Sequence, residues 1–389
     1  MSRKKTKKNQ LDHLMLFSIL GLLIIGLLMV YSSSYYSFAY ENNDPNALLK
    51  KELAFSIVGL MVMYLASRID TKTIRALAVP INVVTVLMYL ALLTPLGWRF
   101  RGGLRWIRIA GQTIMPSEFA KYAVVIAAAY VLTTKKDEKR TPAYYFLIFC
   151  QGFYILATYL QPDMSSSIII AVAVLAVLFF GGLNSIYIVM MSFLGVGAAV
   201  MAIILSPFRL ERVKVLLNPL SDPSGKGFQV LQSLYAVASG SMLGKGLGNG
   251  IQKMMYLPLA YNDYIFSIYA EELGFAGCII LIAILSTLVL RGFKISANAS
   301  DKFSVLLAGG IIAQIAVQSI MNMYVSISLF PSTGIPFPII SYGGTSLITT
   351  LGGLGLVLGI SRQENKRTPA AFERIEKKKY HSLERRTKI

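Results

Sequence analysis

Six ionisable side chains lie within or beside long apolar stretches of this sequence, where a charge is costly and therefore marks a candidate functional site. They are Glu118, Lys121, Asp163, Asp263, Glu271 and Glu272. A partly desolvated carboxylate can accept a proton from a hydroxyl group, which makes Asp263 a candidate general base. Asp263 and its neighbour Asn262 stand at the start of an apolar stretch, so they could instead cap a helix.

Glu118 and Lys121 are three residues apart, a spacing that places both side chains on one face of a helix. The pair is therefore either a structural ion pair or part of a binding site. Asp163 follows Gln161 and Pro162 at the start of a further apolar stretch. It is another acidic candidate for the site, and its alternative role is again a helix cap.

Basic residues are concentrated in two segments outside the apolar stretches. They are Arg99, Arg101, Arg105 and Arg108 in the first segment, and Arg209, Arg212, Lys214, Lys226, Lys245 and Lys253 in the second. Arginine donates paired hydrogen bonds and lysine supplies a compact charge, so this pattern predicts a site for a phosphate or diphosphate. The alternative is attraction to anionic lipid headgroups.

Other kinds of site are not favoured by the remaining residues. Cys150 and Cys278 have no paired spacing, so neither a disulfide nor a metal site is predicted. His13 and His381 lie in or beside the terminal tails, so no Ser-His-Asp triad or histidine-based metal site can be assembled on the outer side of the apolar region. The basic tails lack interleaved aromatic residues, so nucleic acid is not an expected partner.

Membrane helices are the elements predicted to position these residues, because 55% of the chain is hydrophobic, 15% is charged and the mean hydropathy is +0.59. A soluble core of that composition would lack polar surface to cover it. A helix needs about 20 apolar residues to cross a bilayer. About ten crossings are predicted, at residues 14–35, 53–67, 76–96, 114–134, 144–160, two within 164–208, 272–290 and two within 303–361. The expected fold class is an all-α polytopic membrane protein.

The distribution of lysine and arginine predicts how these helices are oriented, because such residues accumulate in cytoplasmic loops. With the N-terminus inside, 25 of the 38 fall in segments predicted to be cytoplasmic, at residues 1–13, 68–75, 135–140, 291–302 and 362–389. Both termini are therefore expected in the cytoplasm. A single membrane domain, residues 14–361, would lie between the basic tails 1–13 and 362–389.

Two outer loops are expected to be functional because they are long and patterned. They span about residues 97–115 and 206–261, and the larger one connects predicted crossings seven and eight. Within the larger loop, residues 227–239 carry apolar side chains at helical spacing. That spacing predicts an amphipathic helix that lies on the membrane or packs into the bundle.

A series of strings in the chain resembles, in order, the motifs of the SEDS family (shape, elongation, division and sporulation), with FtsW and SpoVE closer than RodA. The resemblance covers residues 14–362. The matching strings are GLRWI (103–107), PSEFAK (116–121), QPD (161–163), GFQVLQS (227–233), GKGLG (244–248), YLP (256–258), DYIF (263–266), EELGF (271–275), TGIP (333–336) and SYGG (341–344).

The resemblance implies a peptidoglycan glycosyltransferase that uses lipid II on the outer face of the bacterial cytoplasmic membrane. It implies that Asp263 is the catalytic aspartate, and that the acidic–basic pair of the family corresponds to Glu118 and Lys121. The substrate-binding residues expected from the matching strings and the basic segments are Arg105, Glu118, Lys121, Asp163, Arg212, Gln232, Lys245 and Ser341.

The chain departs from the family pattern at three places. Asn262 stands where the family usually has threonine, Met164-Ser165-Ser166 replaces the usual Leu-Gly-Thr, and Gly240-Ser241 replaces a double glycine. Asparagine can cap a helix or bond a carboxylate as threonine does. We therefore expect these changes to alter local backbone geometry more than chemistry.

The expected reaction is an inverting displacement, in which Asp263 takes the proton of a sugar hydroxyl and basic residues stabilise the diphosphate leaving group. The charge would come from Lys121, Arg105, Arg212 and Lys245. A divalent cation such as Mg or Mn could share this work, because Asp163 and Asp263 offer oxygen ligands, but no dedicated metal site is visible.

The resemblance also implies partners and a location. Expected partners are lipid II, the nascent glycan strand, a class B penicillin-binding protein and other division proteins, at the division septum. Two other functions stay open at this point. One is a transporter of lipid-linked precursors. Internal repeats would favour a transporter, and the sequence shows no convincing repeat. The other is a non-catalytic scaffold for a transpeptidase.

Overall fold

A computed structural model describes residues 11–363, apart from residues 43, 101, 102, 110, 224, 226 and 333. The predicted basic tails therefore lie almost entirely outside the described residues, as do Arg101, Lys226 and Thr333 of the predicted motifs and basic segments. Nearly the whole predicted membrane domain is described.

The described chain is mainly helical. The helices are α1 (His13–Asn42), α2 (Ala47–Ala66), α3 (Thr71–Ala76), α4 (Ala78–Ala91), α5 (Pro116–Thr133), α6 (Pro142–Leu160), α7 (Met164–Phe180), α8 (Ser185–Ile204), α9 (Pro207–Leu217), α10 (Phe228–Ser239), α11 (Ile265–Ala297), α12 (Lys302–Ser326) and α13 (Gly344–Gln363). Short 3₁₀ helices span Lys136–Arg140 and Pro219–Ser221. The prediction of a helical, polytopic class is confirmed.

Six of these helices, α1, α6, α8, α11, α12 and α13, are long and apolar enough to cross a membrane. The shorter apolar helices α4 and α7, together with α2 and α5, correspond to the other four predicted crossings. The total of ten crossings stays a prediction. The break within residues 164–208 occurs where expected, since Gly182 adopts a positive φ of 84° between α7 and α8.

Helix α12 lies at the centre of the bundle, where it packs against α5, α7 and α11. Helix α1 packs against α11 and α2. By contrast, α8 has no buried residue and contacts mainly α7 and α9. The side chains that α12 presents to its neighbours therefore decide what lies in the middle of the protein.

The eighth predicted crossing begins earlier than expected. It was placed at residues 272–290, but α11 starts at Ile265 and is broken at Gly274, whose backbone angles are φ 64° and ψ −166°. Residues 241–246 pair with the broken turn, because Lys245 N donates to Glu271 O (3.0 Å) and Phe275 N donates to Ser241 O (2.9 Å). The interrupted helix thereby regains partners for its backbone groups.

The first of the two loops predicted to face outward contains a β-sheet, which the all-α expectation did not include. Strands β1 (Gly97–Phe100), β2 (Gly103–Ile109) and β3 (Gln112–Ile114) form an antiparallel sheet in that order. Trp98 and Trp106 face each other across β1 and β2, with ring centroids 6.4 Å apart. Aromatic cross-strand pairs stabilise such sheets, and three short strands are too brief to stand out in sequence periodicity.

The second loop predicted to face outward contains α9 and α10. The helix predicted at residues 227–239 is present as α10, and it packs against α11 and α12 instead of lying apart from the bundle. Ser233 on its inner face is buried and bonds to the Ser267 hydroxyl (2.6 Å) and to Ser326 O (2.7 Å). These bonds hold α10 against the bundle.

Candidate active site

Asp263 lies two residues before α11, in a segment that is held by the loop after α12. Asn322 Nδ2 donates to Asp263 O (3.0 Å) and to Ile335 O (2.8 Å). Ser341 Oγ donates to Asn262 O (2.5 Å) and accepts a hydrogen bond from Phe337 N (2.8 Å). Asn322 thus holds the backbone of Asp263 directly. Ser341 holds the backbone of Asn262, the residue before Asp263, and so positions Asp263 indirectly.

Helix capping does not account for Asp263. Tyr264 occupies the N-cap position of α11, and no side-chain capping bond is formed there. The carboxylate is instead partly exposed, and it lines a cavity of about 290 Å³. Glu118 and Arg105 line the same cavity. Its remaining wall includes the aromatic side chains Phe55, Trp98, Trp106 and Tyr342.

Glu118 and Lys121 form an ion pair of 2.7 Å whose side chains are 3% and 1% exposed. Glu118 faces the cavity, whereas Lys121 lies behind it and donates to Gln318 Oε1 (2.9 Å). Gln318 Nε2 in turn donates to Pro336 O (2.9 Å). The pair therefore connects α5 to α12 and to the loop that holds Asp263.

Arg105 and Asp163 both take part in the turn between α6 and α7, residues 161–163. The Asp163 carboxylate caps α7 by accepting a hydrogen bond from Ser166 N (3.2 Å), which is the alternative role considered from the sequence. Arg105 donates to Gln161 O (3.2 Å) and also to Pro162 O. Asp163 is buried in this turn and is not among the described residues that line the Asp263 cavity.

Arg212 lies on α9 and lines a second, neighbouring cavity. The side chain is exposed, yet the protein around it lowers the pKa of its guanidinium by desolvation, and the charge of Arg105 lowers it further. Tyr264 and Asp263 act in the opposite direction and raise this pKa. Arg212 therefore lies within the electrostatic influence of both Arg105 and Asp263.

Two predicted binding residues lie away from the Asp263 cavity. Lys245 Nζ pairs with Glu271 Oε1 (2.7 Å), and Gln232 lies half-buried on α10. Glu271 and Glu272, which stood out in the sequence as buried charges, both fasten the segment before α11. Glu271 also accepts from Ile251 N (2.9 Å), and Glu272 pairs with Lys253 Nζ (2.6 Å).

Ligands for a metal ion are few in this region. Across the part of the chain that the structure describes, no three His, Cys, Asp or Glu side chains are grouped so that they could share an ion. Asp263 and Glu118 are the carboxylates that a divalent cation in the cavity would meet, and Asp163 is engaged in its helix cap. The described residues therefore form no dedicated site for a resident metal.

Two residues that position the site were not identified from the sequence. They are Gln318 and Asn322 on α12, which hold the loop around Pro336 and the backbone of Asp263. A signal for them exists, because Gln314, Gln318 and Asn322 recur every four residues in a mainly apolar helix. Such a spacing places all three on one face.

Comparison with known proteins gives consistent matches over nearly the whole chain. Residues 12–366 match the family of FtsW, RodA and SpoVE, described as cell cycle proteins. The chain is 37% identical to a probable peptidoglycan glycosyltransferase FtsW of Trichlorobacter lovleyi, covering 92% of this chain and 95% of the relative. It is 35% identical to stage V sporulation protein E of Bacillus subtilis, covering 92% and 98%.

Solved structures show the same fold. A chain of a peptidoglycan synthase complex that coordinates polymerization and crosslinking has a TM-score of 0.74 and 27% identity, covering 91% of this chain and 98% of that chain. The rod shape determining protein RodA of Thermus thermophilus has a TM-score of 0.66 at 22% identity, covering 91% and 97%. The family match over residues 12–366 and the two relatives above 30% identity show that the chain belongs to the FtsW, RodA and SpoVE family.

Proposed function

We propose that this chain is a peptidoglycan glycosyltransferase that polymerises lipid II on the outer face of the cytoplasmic membrane during cell division or sporulation. The observation that carries the proposal is the cavity in which Asp263, Glu118 and Arg105 meet beneath an aromatic wall. The similarity to relatives named peptidoglycan glycosyltransferase FtsW supports the same activity. The apolar helices and these relatives make the protein a multi-pass bacterial membrane protein.

In the proposed reaction, the 4-hydroxyl oxygen of the acceptor sugar attacks the anomeric carbon of the donor. A bond forms between that oxygen and the carbon, and the bond from the carbon to the donor's diphosphate oxygen breaks. Asp263 receives the hydroxyl proton, and the diphosphate leaves with the electron pair. Its developing charge is met by the guanidinium groups of Arg105 and Arg212.

The buried pair supports this chemistry without contacting the leaving group. Lys121 is held between Glu118 and Gln318 and does not line the cavity, so its proposed role is to keep Glu118 in place. Lys245 is paired with Glu271, and the role left for it is to fasten its own segment. Of the basic residues considered from the sequence, Arg105 and Arg212 are therefore the ones proposed to contact the diphosphate.

The proposed partner is a class B penicillin-binding protein, the transpeptidase that would crosslink the strands at the division septum. The support is the resemblance to a chain that acts within a peptidoglycan synthase complex. The proposal includes no nucleic acid and no resident cofactor. A divalent cation, if it takes part, would meet Asp263 and Glu118.

Labelled lipid II, incubated with the purified full chain and its transpeptidase partner, tests the activity. Glycan polymer is the expected product. Movement of lipid II between leaflets without polymer would indicate a transporter. If neither polymer nor movement is observed, the chain would be a scaffold.

Asp263→Asn tests the role of the general base. The amide keeps the size of the side chain but cannot accept the proton, and a positioned base contributes roughly 10²–10⁴-fold to rate. We expect a loss of that size in polymerisation rate with unchanged co-purification of the partner. A rate within a few-fold of the unmodified protein would exclude Asp263 as the base.

A further inference from the structure

Glu52 on α2 is a buried carboxylate that the proposed reaction does not use. It is 2% exposed and lies on the buried face of its helix, with Leu48 one turn before it and Ser56 one turn after it. Among the described residues, no lysine or arginine forms an ion pair with Glu52, and the nearby Lys50 pairs with Asp44 instead (2.9 Å). A buried carboxylate without a cation is costly, so its polar partners indicate what it is for.

The partner of Glu52 is the backbone at the start of α13. The N–H of Gly343, the residue before that helix, donates to the carboxylate. Gly343 O in turn accepts from Leu347 N (2.8 Å), a bond that begins the helical pattern of α13. The N-terminus of a helix has unpaired N–H groups and a partial positive charge, and both favour a carboxylate. Glu52 therefore caps α13 from a different helix.

The contact between α2 and the start of α13 is tight. Phe55, three residues after Glu52, packs against Gly344, where a Cβ atom would lie 2.6 Å from the ring. Only glycine permits so close an approach. Phe55, Gly343 and Gly344 line the Asp263 cavity, and Glu52 is not among the described residues that do so. Glu52 thus lies behind the wall that its partners form.

The start of α13 is also joined to two other parts of the Asp263 cavity. Tyr342 N donates to Tyr261 O (3.0 Å), two residues before Asp263. Thr345 Oγ1 donates to Thr113 O (3.2 Å) on β3, a strand of the sheet that forms part of the cavity wall. A displacement of the α13 start would therefore move both the Asp263 segment and the sheet.

We propose that Glu52 is a positioning residue for the reaction at Asp263. By capping α13 from α2, it holds the α13 start at the place where that start fixes the Asp263 segment and the sheet. Glu52 touches no substrate and acts through Gly343. The effect on the reaction rests on the proposed function, whereas the effect on the cavity wall does not.

Three variants separate this role from general packing of α2. Glu52→Leu removes the hydrogen-bond acceptor and keeps the site filled. Glu52→Gln keeps an oxygen that can accept from the Gly343 N–H. Ser56→Ala is the matched control, because Ser56 is buried on the same face of α2 and its hydroxyl forms no hydrogen bond among the described residues.

The first measurement is the rate of lipid II polymerisation by the full chain with its transpeptidase partner, per amount of folded protein. We expect Glu52→Leu to lower kcat roughly tenfold with less than about a twofold change in KM, because a misplaced general base loses transition-state stabilisation. Glu52→Gln should stay within about threefold of the unmodified chain, since the bond to Gly343 can still form. Ser56→Ala should stay within about twofold.

The second measurement is tryptophan fluorescence, which needs no turnover. Trp98 and Trp106 are the two tryptophans of the chain, and both line the Asp263 cavity. Their emission therefore reports on the cavity wall. We expect Glu52→Leu to shift the emission maximum and to increase quenching by acrylamide, because the sheet loses its fixed contact with α13. Glu52→Gln and Ser56→Ala should leave both properties unchanged.

Thermal unfolding distinguishes a positioning role from a merely structural one. Glu52 Oε2 is buried and has no hydrogen-bond partner among the described residues. Glu52→Leu removes the cost of burying that oxygen together with the bond to Gly343, and the two changes oppose each other. The unfolding temperature should therefore stay close to that of the unmodified chain although the rate falls.

Several results would overturn the proposal. A rate and an emission spectrum of Glu52→Leu that match the unmodified chain would do so, as would an equal loss of rate in Ser56→Ala. A loss with Glu52→Gln as large as with Glu52→Leu would show that the bond to Gly343 is not the cause. A large fall in unfolding temperature with unchanged emission would make Glu52 a structural residue only. If the unmodified chain forms no polymer, the proposed function fails, and the emission spectra still decide whether Glu52 holds the cavity wall.

Discussion

Removing the positive charge of the buried Glu118–Lys121 pair is the most informative perturbation that the structure suggests. Lys121→Met keeps most of the length of the side chain but leaves Glu118 charged in a site where both side chains are 3% exposed or less. Breaking a buried pair in this way costs about 3–5 kcal/mol. Gln318 Oε1 also loses its donor, which adds about 1–3 kcal/mol if no water replaces it.

The double variant Glu118→Gln/Lys121→Met separates the cost of a lone charge from the value of the pair. Since no buried charge is then left without a partner, most of the lost stability should return. We expect the two substitutions to be non-additive by about 2–3 kcal/mol. Lys50→Met is a matched control, because the Lys50–Asp44 pair has a similar distance of 2.9 Å but side chains that are 67% and 41% exposed. Solvent and salt screen an exposed pair, so its loss should change the free energy of unfolding little.

The assays are thermal unfolding of the purified chain in detergent and polymerisation of lipid II by the same samples. Lys121→Met should unfold at a clearly lower temperature than Lys50→Met and should polymerise more slowly, and the double variant should recover stability. If Lys121→Met and Lys50→Met both unfold at the same temperature as the unmodified chain, the argument from an uncompensated charge is wrong. If stable Lys121→Met polymerises at the normal rate, Lys121 does not position Glu118 for catalysis.

Other expectations follow from single contacts. Asn322→Leu should lower the polymerisation rate roughly tenfold, because it releases the backbone of Asp263. Gln314→Leu is the control and should change the rate by less than about twofold, because the Gln314 amide forms no hydrogen bond among the described residues. Equal losses of rate in the two variants would contradict a positioning role for Asn322. Asp163→Asn should leave the free energy of unfolding nearly unchanged, because asparagine caps a helix as well as aspartate does. Asp163→Ala removes the cap and should lower that free energy by about 1 kcal/mol. A large loss of activity with Asp163→Asn would show that the charge of Asp163 is needed. In a chain lacking Cys150 and Cys278, a cysteine at Gly225 should react with an impermeant thiol reagent in intact cells and one at Lys139 should not; labelling of position 225 only after permeabilisation would reverse the predicted orientation.

Much of the site is readable from the sequence because its residues stand in short motifs. Glu118, Lys121 and Asp263 are charges in or beside apolar stretches, and the structure places Asp263 and Glu118 in one cavity. The roles of the basic residues could not be read in the same way. Lys245 and Arg212 look alike in sequence, but one is paired with Glu271 and the other lines a cavity. Which lysine or arginine is neutralised depends on partners brought near by folding.

The sequence by itself determined the environment and the family, because uncharged runs of this length are stable only as membrane helices and the motif strings recur in order. It also located α10 and the break at Gly182. Only the tertiary structure decided that Asp263 is held by Asn322 of α12, that β1, β2 and β3 form a sheet, and that Arg209 joins Arg105 and Arg212. The first and third of these contacts link residues that are far apart in the chain, and local periodicity carries no information about which distant segments pack together. The three strands are neighbours in the chain, but each is too short to show a period.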